Sequence, residues 1–199
     1  VNDVSVPDFN MNTLEYTLDD VANDKTSVNV TATAEEANAT IEGDGVNNLS
    51  VGNNTIEVTV ISQSNEELTY KIYIKRLSND STLKALSVTS NDGSLDKEFN
   101  PATLEYTYTA GPDVTEIVIE GTPNHDGATV SGNNTYNPNE TSQVILKVTA
   151  EDQSYTEYKV NLVRTESSTN TLSSLSIETY PFNEDFDPDT TTYTVTIPE

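Results

Sequence analysis

The chain has 199 residues and a formal net charge of −24, from 33 acidic against 9 basic side chains, and it contains no cysteine. That charge excludes nucleic acid and anionic membrane surfaces as ordinary partners, because phosphate would be repelled. Without cysteine there is neither a disulfide nor a thiolate metal site, and no apolar run approaches the roughly 20 residues that a membrane helix needs. Only 34% of the residues are hydrophobic, yet they alternate with polar ones in register, the mark of a folded β protein.

In chain order, Val4-Ser-Val6 is expected to be the stub of a strand that enters a corner at Phe9. Leu14, Tyr16 and Leu18 alternate with polar neighbours, the period-2 pattern of a half-buried strand. Val28, Val30, Ala32 and Ala34 do the same, with Asn29, Thr31 and Thr33 toward water. A short strand is expected over residues 39–41, followed by the turn Glu42-Gly-Asp-Gly45 and a strand through Ile56, Val58 and Val60. Gln63-Ser-Asn-Glu-Glu67 makes a hairpin loop, and Tyr70, Ile72 and Ile74 return to Lys75-Arg76.

The next stretch repeats this pattern. Leu83-Lys-Ala-Leu86-Ser-Val88 opens it, Ile117 and Ile119 match Val28 and Val30, and Ala128-Thr-Val130 matches Ala39-Thr-Ile41. Leu146-Lys-Val148 matches Ile56-Glu-Val58, and Tyr158-Lys-Val160-Asn-Leu162 matches Tyr70-Lys-Ile72-Tyr-Ile74. After the polar connector 165–170, Leu172-Ser-Ser-Leu175-Ser-Ile177 repeats the opening once more. One device recurs in all three units. Phe9-Asn-Met-Asn-Thr-Leu-Glu-Tyr16, Phe99-Asn-Pro-Ala-Thr-Leu-Glu-Tyr106 and Phe186-Asp-Pro-Asp-Thr-Thr-Thr-Tyr193 each predict a buried Phe, a tight turn and a strand opening on an inward Tyr. Short alternating strands, turn residues between them and no helical periodicity predict an all-β protein of β-sandwich repeats. The expected units are 1–77, whose opening strand is missing or shortened, 78–165, which is complete, and 166–199, the first two strands of a third. The array is expected to be elongated and cut at both ends.

Leu-x-x-Leu-Ser-Val, Phe-x-Pro-x-Thr-x-x-Tyr, Val-Thr-Ala-Glu-Asp and Tyr-x-Val-x-Leu-x-Arg together resemble the bacterial cadherin-like β-sandwich repeat, an Ig-like module. Residues 78–165 hold every element. In the first unit Met11 replaces the Pro, and Ile61-Ser62 replaces Glu151-Asp152. The resemblance implies a spacer or interaction module of large secreted or wall-attached proteins. It implies no cadherin-type calcium site residue by residue, and fold does not by itself imply function.

Chemistry is sparse. The single histidine, His125, sits in the Gly-flanked turn Asn124-His-Asp-Gly127, a poor place to hold a catalytic base. Among 33 carboxylates some pair always falls at a glycosidase spacing, so pairing alone identifies nothing. Asp185, Asp187 and Asp189 alternate as calcium-loop ligands do, but Thr190 and Thr196 stand where such a loop carries its Gly and its Glu. They are the candidate metal site, weighed against an acidic corner loop. Tyr73, Tyr136 and Tyr155 are candidate sugar platforms, against the commoner reading of lone surface aromatics. Lys71 and Lys159 are expected to point outward, away from any intramolecular Lys–Asn bond. Sequons such as Asn29-Val-Thr31 and Asn38-Ala-Thr40 follow from the Asn- and Thr-rich composition.

The expected function is therefore a non-catalytic spacer or adhesion module of an extracellular bacterial surface protein, with no cofactor. Its partners are neighbouring repeats, copies of itself, or surface glycans and proteins. The alternatives are a calcium- or carbohydrate-binding module and a filament subunit. In the last case residues 172–177 of one copy would enter the first unit of the next by strand addition.

Overall fold

The structure, a computed structural model, describes residue 6 and residues 9–198. The strand stub expected at Val4 lies outside the described residues, but Val6 packs against the first core. All regular structure among the described residues is β. The first repeat forms β1 (Glu15–Thr17), β2 (Ser27–Val30), β3 (Thr40–Glu42), β4 (Gly45–Asn48), β5 (Gly52–Ile61) and β6 (Glu67–Arg76). The second forms β7 (Leu83–Thr89), β8 (Gly93–Leu95), β9 (Glu105–Ala110), β10 (Ile117–Pro123), β11 (Thr129–Ser131), β12 (Asn134–Tyr136), β13 (Gln143–Thr149) and β14 (Tyr155–Arg164).

Each repeat makes two sheets. In the second they run β11-β13-β14-β9-β8 and β12-β10-β7; in the first, β1-β6-β5-β3 and β2-β4. The central hairpins are antiparallel, with Val58 opposite Tyr70 and Leu146 opposite Tyr158. The strand leaving each corner lies parallel to the hairpin's second strand, Tyr16 beside Ile72 and Tyr106 beside Val160. Gly43 and Gly132 hold equivalent turns with φ of 84° and 97°. A Cβ there would stand 2.0 Å from the Glu57 carbonyl oxygen and 2.3 Å from that of Ile145, so only glycine lets the backbones approach.

The alternating apolar residues of facing sheets meet to form two separate hydrophobic clusters. The second is the larger: Leu83, Tyr106, Ile117, Ile119, Leu146, Val148, Tyr158 and Val160 are each 0% exposed. The first centres on Leu49, Ile56, Val58, Ile72 and Ile74, while Val28, Val30 and Ala32 are only partly buried. The difference goes with one feature of the described sheets. In the second repeat β7 lies along β10, bringing Leu86 opposite Gly121 and Val88 opposite Ile119. Among the described residues, no strand lies on that side of β2.

Two expectations need correction. The alternation to Ala34 predicts a strand through that residue, but β2 stops at Val30; among the described residues the ladder that carries β10 on to Pro123 has no counterpart here. The corner Phe is not a fully buried plug: Phe9 is 62% exposed, and Phe99 and Phe186 are half-buried. Its ring lies over Tyr16 and Tyr70, both centroids at 5.8 Å, so the Phe is a lid and the Tyr the anchor. Over residues 166–198 no strand forms.

Candidate functional site

The corner is built identically three times. The Asn10 N–H donates to the Tyr16 hydroxyl at 2.9 Å, and that hydroxyl donates back to the Asn10 carbonyl at 2.7 Å. Asn100 and Tyr106 repeat the pair, both bonds at 2.9 Å, as do Asp187 and Tyr193. The side-chain Oδ1 of Asn10, Asn100 and Asp187 then accepts the N–H two residues on, closing an Asx turn. A Tyr hydroxyl tied to backbone just upstream is a recurrent way of fixing a sandwich corner.

This geometry places the calcium candidates. Asp187 occupies the position of Asn10 and Asn100, and its carboxylate is engaged by the Asp189 N–H at 2.9 Å. Among the described residues no three acidic or His side chains gather into a group able to hold a metal ion, so Asp185, Asp187 and Asp189 are not brought together. His125 accepts the Gly127 N–H on Nδ1 at 3.1 Å, within its own turn. Tyr73, Tyr136 and Tyr155 lie on β6, β12 and β14, in three different sheets. The Tyr136 hydroxyl donates to the Gly132 carbonyl, and Lys147 Nζ sits 4.0 Å above the Tyr155 ring. Lys71 pairs with Glu57 across the hairpin at 3.2 Å, and Lys159 is exposed.

The densest polar construction is the junction between the repeats. Lys75, near the end of β6, donates to Glu151 Oε1 at 2.5 Å, and the Ser78 N–H donates to Glu151 Oε2 at 3.1 Å. The Asp152 N–H donates to the Ser78 carbonyl at 3.1 Å, and the Ser81 and Thr156 hydroxyls meet at 2.7 Å. Asp80 accepts from the Thr82 hydroxyl at 2.6 Å and from the Asn124 amide at 2.6 Å. Ser78 and Ser81 are consequently buried, although they lie in a connector. From below, Arg76 donates to the carbonyls of Asn23 and Leu49 at 2.8 and 2.9 Å, tying β6 to the loops on either side of the β2-β4 sheet.

The charges at this seam are mutually held. Hydrogen bonding by Lys75, then by the Ser78 N–H, keeps the Glu151 carboxyl below its ordinary range, against the opposing effect of desolvation. The same bond raises Lys75. Asp80 is lowered first by the Thr82 hydroxyl, and Asp152 first by the Ser154 hydroxyl. Such charge-assisted bonds favour the ionised forms that make them.

A family model described as Cadherin-like beta sandwich domain matches residues 1–77 and again residues 83–165. The chain belongs to this family. Among solved structures, this cadherin-like chain is similar to the protocadherin gammaB7 EC3-6 cis-dimer structure, at 14% identity and a TM-score of 0.33 over 77% of this chain and 46% of that one. It is similar to the human desmocollin-1 ectodomain at 12% identity and a TM-score of 0.32, over 79% and 42% of the two chains. For the protocadherin gamma B2 extracellular cadherin domains 3-6 the values are 11% and 0.32, over 84% and 48%. The chain thus spans less than half the length of each. No curated protein sequence matches it.

Within this cadherin-like chain, sequence reasoning missed Ser78, Ser81 and the role of Glu151. One signal was present. Glu151-Asp152 is one of the two places where the family pattern changes between the repeats, Ile61-Ser62 standing in the first.

Proposed function

We propose that this cadherin-like chain is a non-catalytic structural or adhesion module of an extracellular bacterial surface protein. In this reading residues 1–77 and 78–165 are successive sandwich repeats, 166–199 opens a third, and the repeats stand end to end as an elongated spacer. The observation that carries the reading is the junction. In a connector of a few residues Ser78 and Ser81 are buried, and Ser78 is held by the Glu151 carboxylate that Lys75 also clamps, where a flexible tether would leave its backbone to water. A strapped joint transmits direction from one repeat to the next, as a spacer requires. The net charge of −24 keeps neighbouring copies soluble and apart.

Small-angle scattering of the 199-residue chain tests this reading. The expected profile is that of a rod, unchanged when calcium is replaced by a chelator; a compact globule would overturn it. Calorimetry with calcium and a glycan array address the rival binding-module reading, which a micromolar response to either would favour.

A further inference from the structure

We propose that the connector between the repeats and strand β14 form a lap joint, which carries tension past the body of the second sandwich. The bonds across the junction follow one order. The Ser78 N–H donates to Glu151 and the Ser78 carbonyl accepts from the Asp152 N–H, both at 3.1 Å. The Ser154 hydroxyl donates to the Asn79 carbonyl at 3.4 Å, and the Ser81 and Thr156 hydroxyls meet at 2.7 Å. The Leu83 N–H then donates to the Tyr158 hydroxyl at 3.1 Å. Residues 78–83 thus run in step with residues 151–158 and in the same direction. A pull that draws the connector away at Leu77, and β14 the opposite way at Arg164, loads these bonds together in shear. Bonds opened from one end would instead break singly.

What lies on either side of the joint decides where the tension goes. On the near side the connector continues β6, and Lys75 of that strand donates to Glu151 at 2.5 Å. A pull along β6 therefore reaches Glu151 directly as well as through Ser78. On the far side β14 is one unbroken strand from Tyr155 to Arg164, held between β13 and β9. Tension that enters at its start leaves at Arg164 along the covalent backbone, and does not draw the strand out of its sheet. Without the joint the load would fall on β7 at Leu83. That strand stands at the edge of the β12-β10-β7 sheet and pairs with β10 alone among the described residues. Its ladder also breaks register between Thr122 and Pro123, opposite the end that would be loaded. The joint shields β7 from that load.

This rests on the spacer reading and deepens it, since a spacer that holds something away from a surface is pulled along its length. The test is constant-force spectroscopy of the full chain, which has no cysteine of its own, with handles on introduced ones. Ser64, Lys84 and Thr169 are exposed. Ser64→Cys with Thr169→Cys passes the force through β6 and the joint, whereas Lys84→Cys with Thr169→Cys delivers it to β7 directly. The lifetime of the second repeat is read from the step that releases β7–β14. At equal force that repeat should last at least about tenfold longer in the first geometry, the rate equivalent of one charge-assisted bond. Glu151→Gln combined with Ser81→Ala should remove this advantage. A loss of stability alone shortens both lifetimes alike, as the core change Ile119→Val should. Equal lifetimes in the two geometries overturn the proposal, and so does an advantage that survives the double variant. Scattering judges the spacer separately, since a rod-shaped profile stands in either case.

Discussion

At the scale of single residues the three corner tyrosines form a graded experiment within one molecule. Tyr16, Tyr106 and Tyr193 make the same pair of backbone bonds, but they sit in a thin core, a full core and no core. Removing the Tyr106 hydroxyl strands the Asn100 N–H and carbonyl in a partly buried corner, and Tyr106→Phe is expected to cost about 1–3 kcal/mol. Tyr16→Phe leaves groups that water can reach and should cost about 0.5–1.5 kcal/mol. Tyr193→Phe should leave the main unfolding transition where it is, since residues 166–198 add no strand to either core. Urea titrations of the three variants give the ranking. Equal losses at Tyr106 and Tyr193 would mean that the corner acts locally, without the sandwich around it.

At the scale of elements the seam between β6 and the β13-β14 turn is the joint to perturb. Glu151→Gln and Lys75→Met should each lower the unfolding midpoint by a few degrees at neutral pH, and the double variant should lose no more than either alone, because the two residues share one interaction. The pH dependence has a definite sign. Glu151 titrates lower in the folded chain than in the unfolded one. Its contribution is therefore complete above the ordinary carboxylate range and disappears as pH falls through and below about 4. The midpoints of E151Q and the parent should converge in that acid window. Lys75 is raised, so its share is complete below about pH 10 and is lost only as pH climbs past its folded value. Melting curves of both proteins over pH measure the gap; a constant gap down to strong acid would assign Glu151 a packing role instead of an ionic one.

At the scale of the whole molecule, 33 acidic side chains against 9 basic ones make self-repulsion the dominant electrostatic feature. Folding concentrates that charge, so the compact state bears more repulsion than the unfolded chain. Local pairs such as Lys75–Glu151 and Lys71–Glu57 oppose it at close range, but they are few. Raising ionic strength from about 0.01 to 0.5 M shortens the screening length from about 30 Å to a few ångströms, and the unfolding midpoint should rise with it. A midpoint that falls with salt would show that the local pairs outweigh the net charge.

The sequence by itself determined the all-β class, the repeat register, the positions of the long hairpins and the three corners. Those features depend on alternation and turn chemistry within a few residues, as the match of Tyr158-Lys-Val160 to Tyr70-Lys-Ile72 shows. Tertiary structure decided what depends on residues far apart. The strands β4, β8 and β12 lie in Gly-, Asn- and Ser-containing segments with little apolar alternation, and become strands by pairing with β2, β9 and β10. Phe9 and Tyr16 divide the corner between lid and anchor only once Tyr70 arrives beside the Phe ring. Within the pattern Asp185, Asp187 and Asp189, it is the fold of the corner that engages the Asp187 carboxylate with the Asp189 N–H. Glu151 acquires its role from a lysine 76 residues away, and β2 ends at Val30, where among the described residues no counterpart of β7 pairs with it. A local pattern specifies which face of a strand is apolar; only the assembled sheets specify what meets that face, and whether its edge is filled.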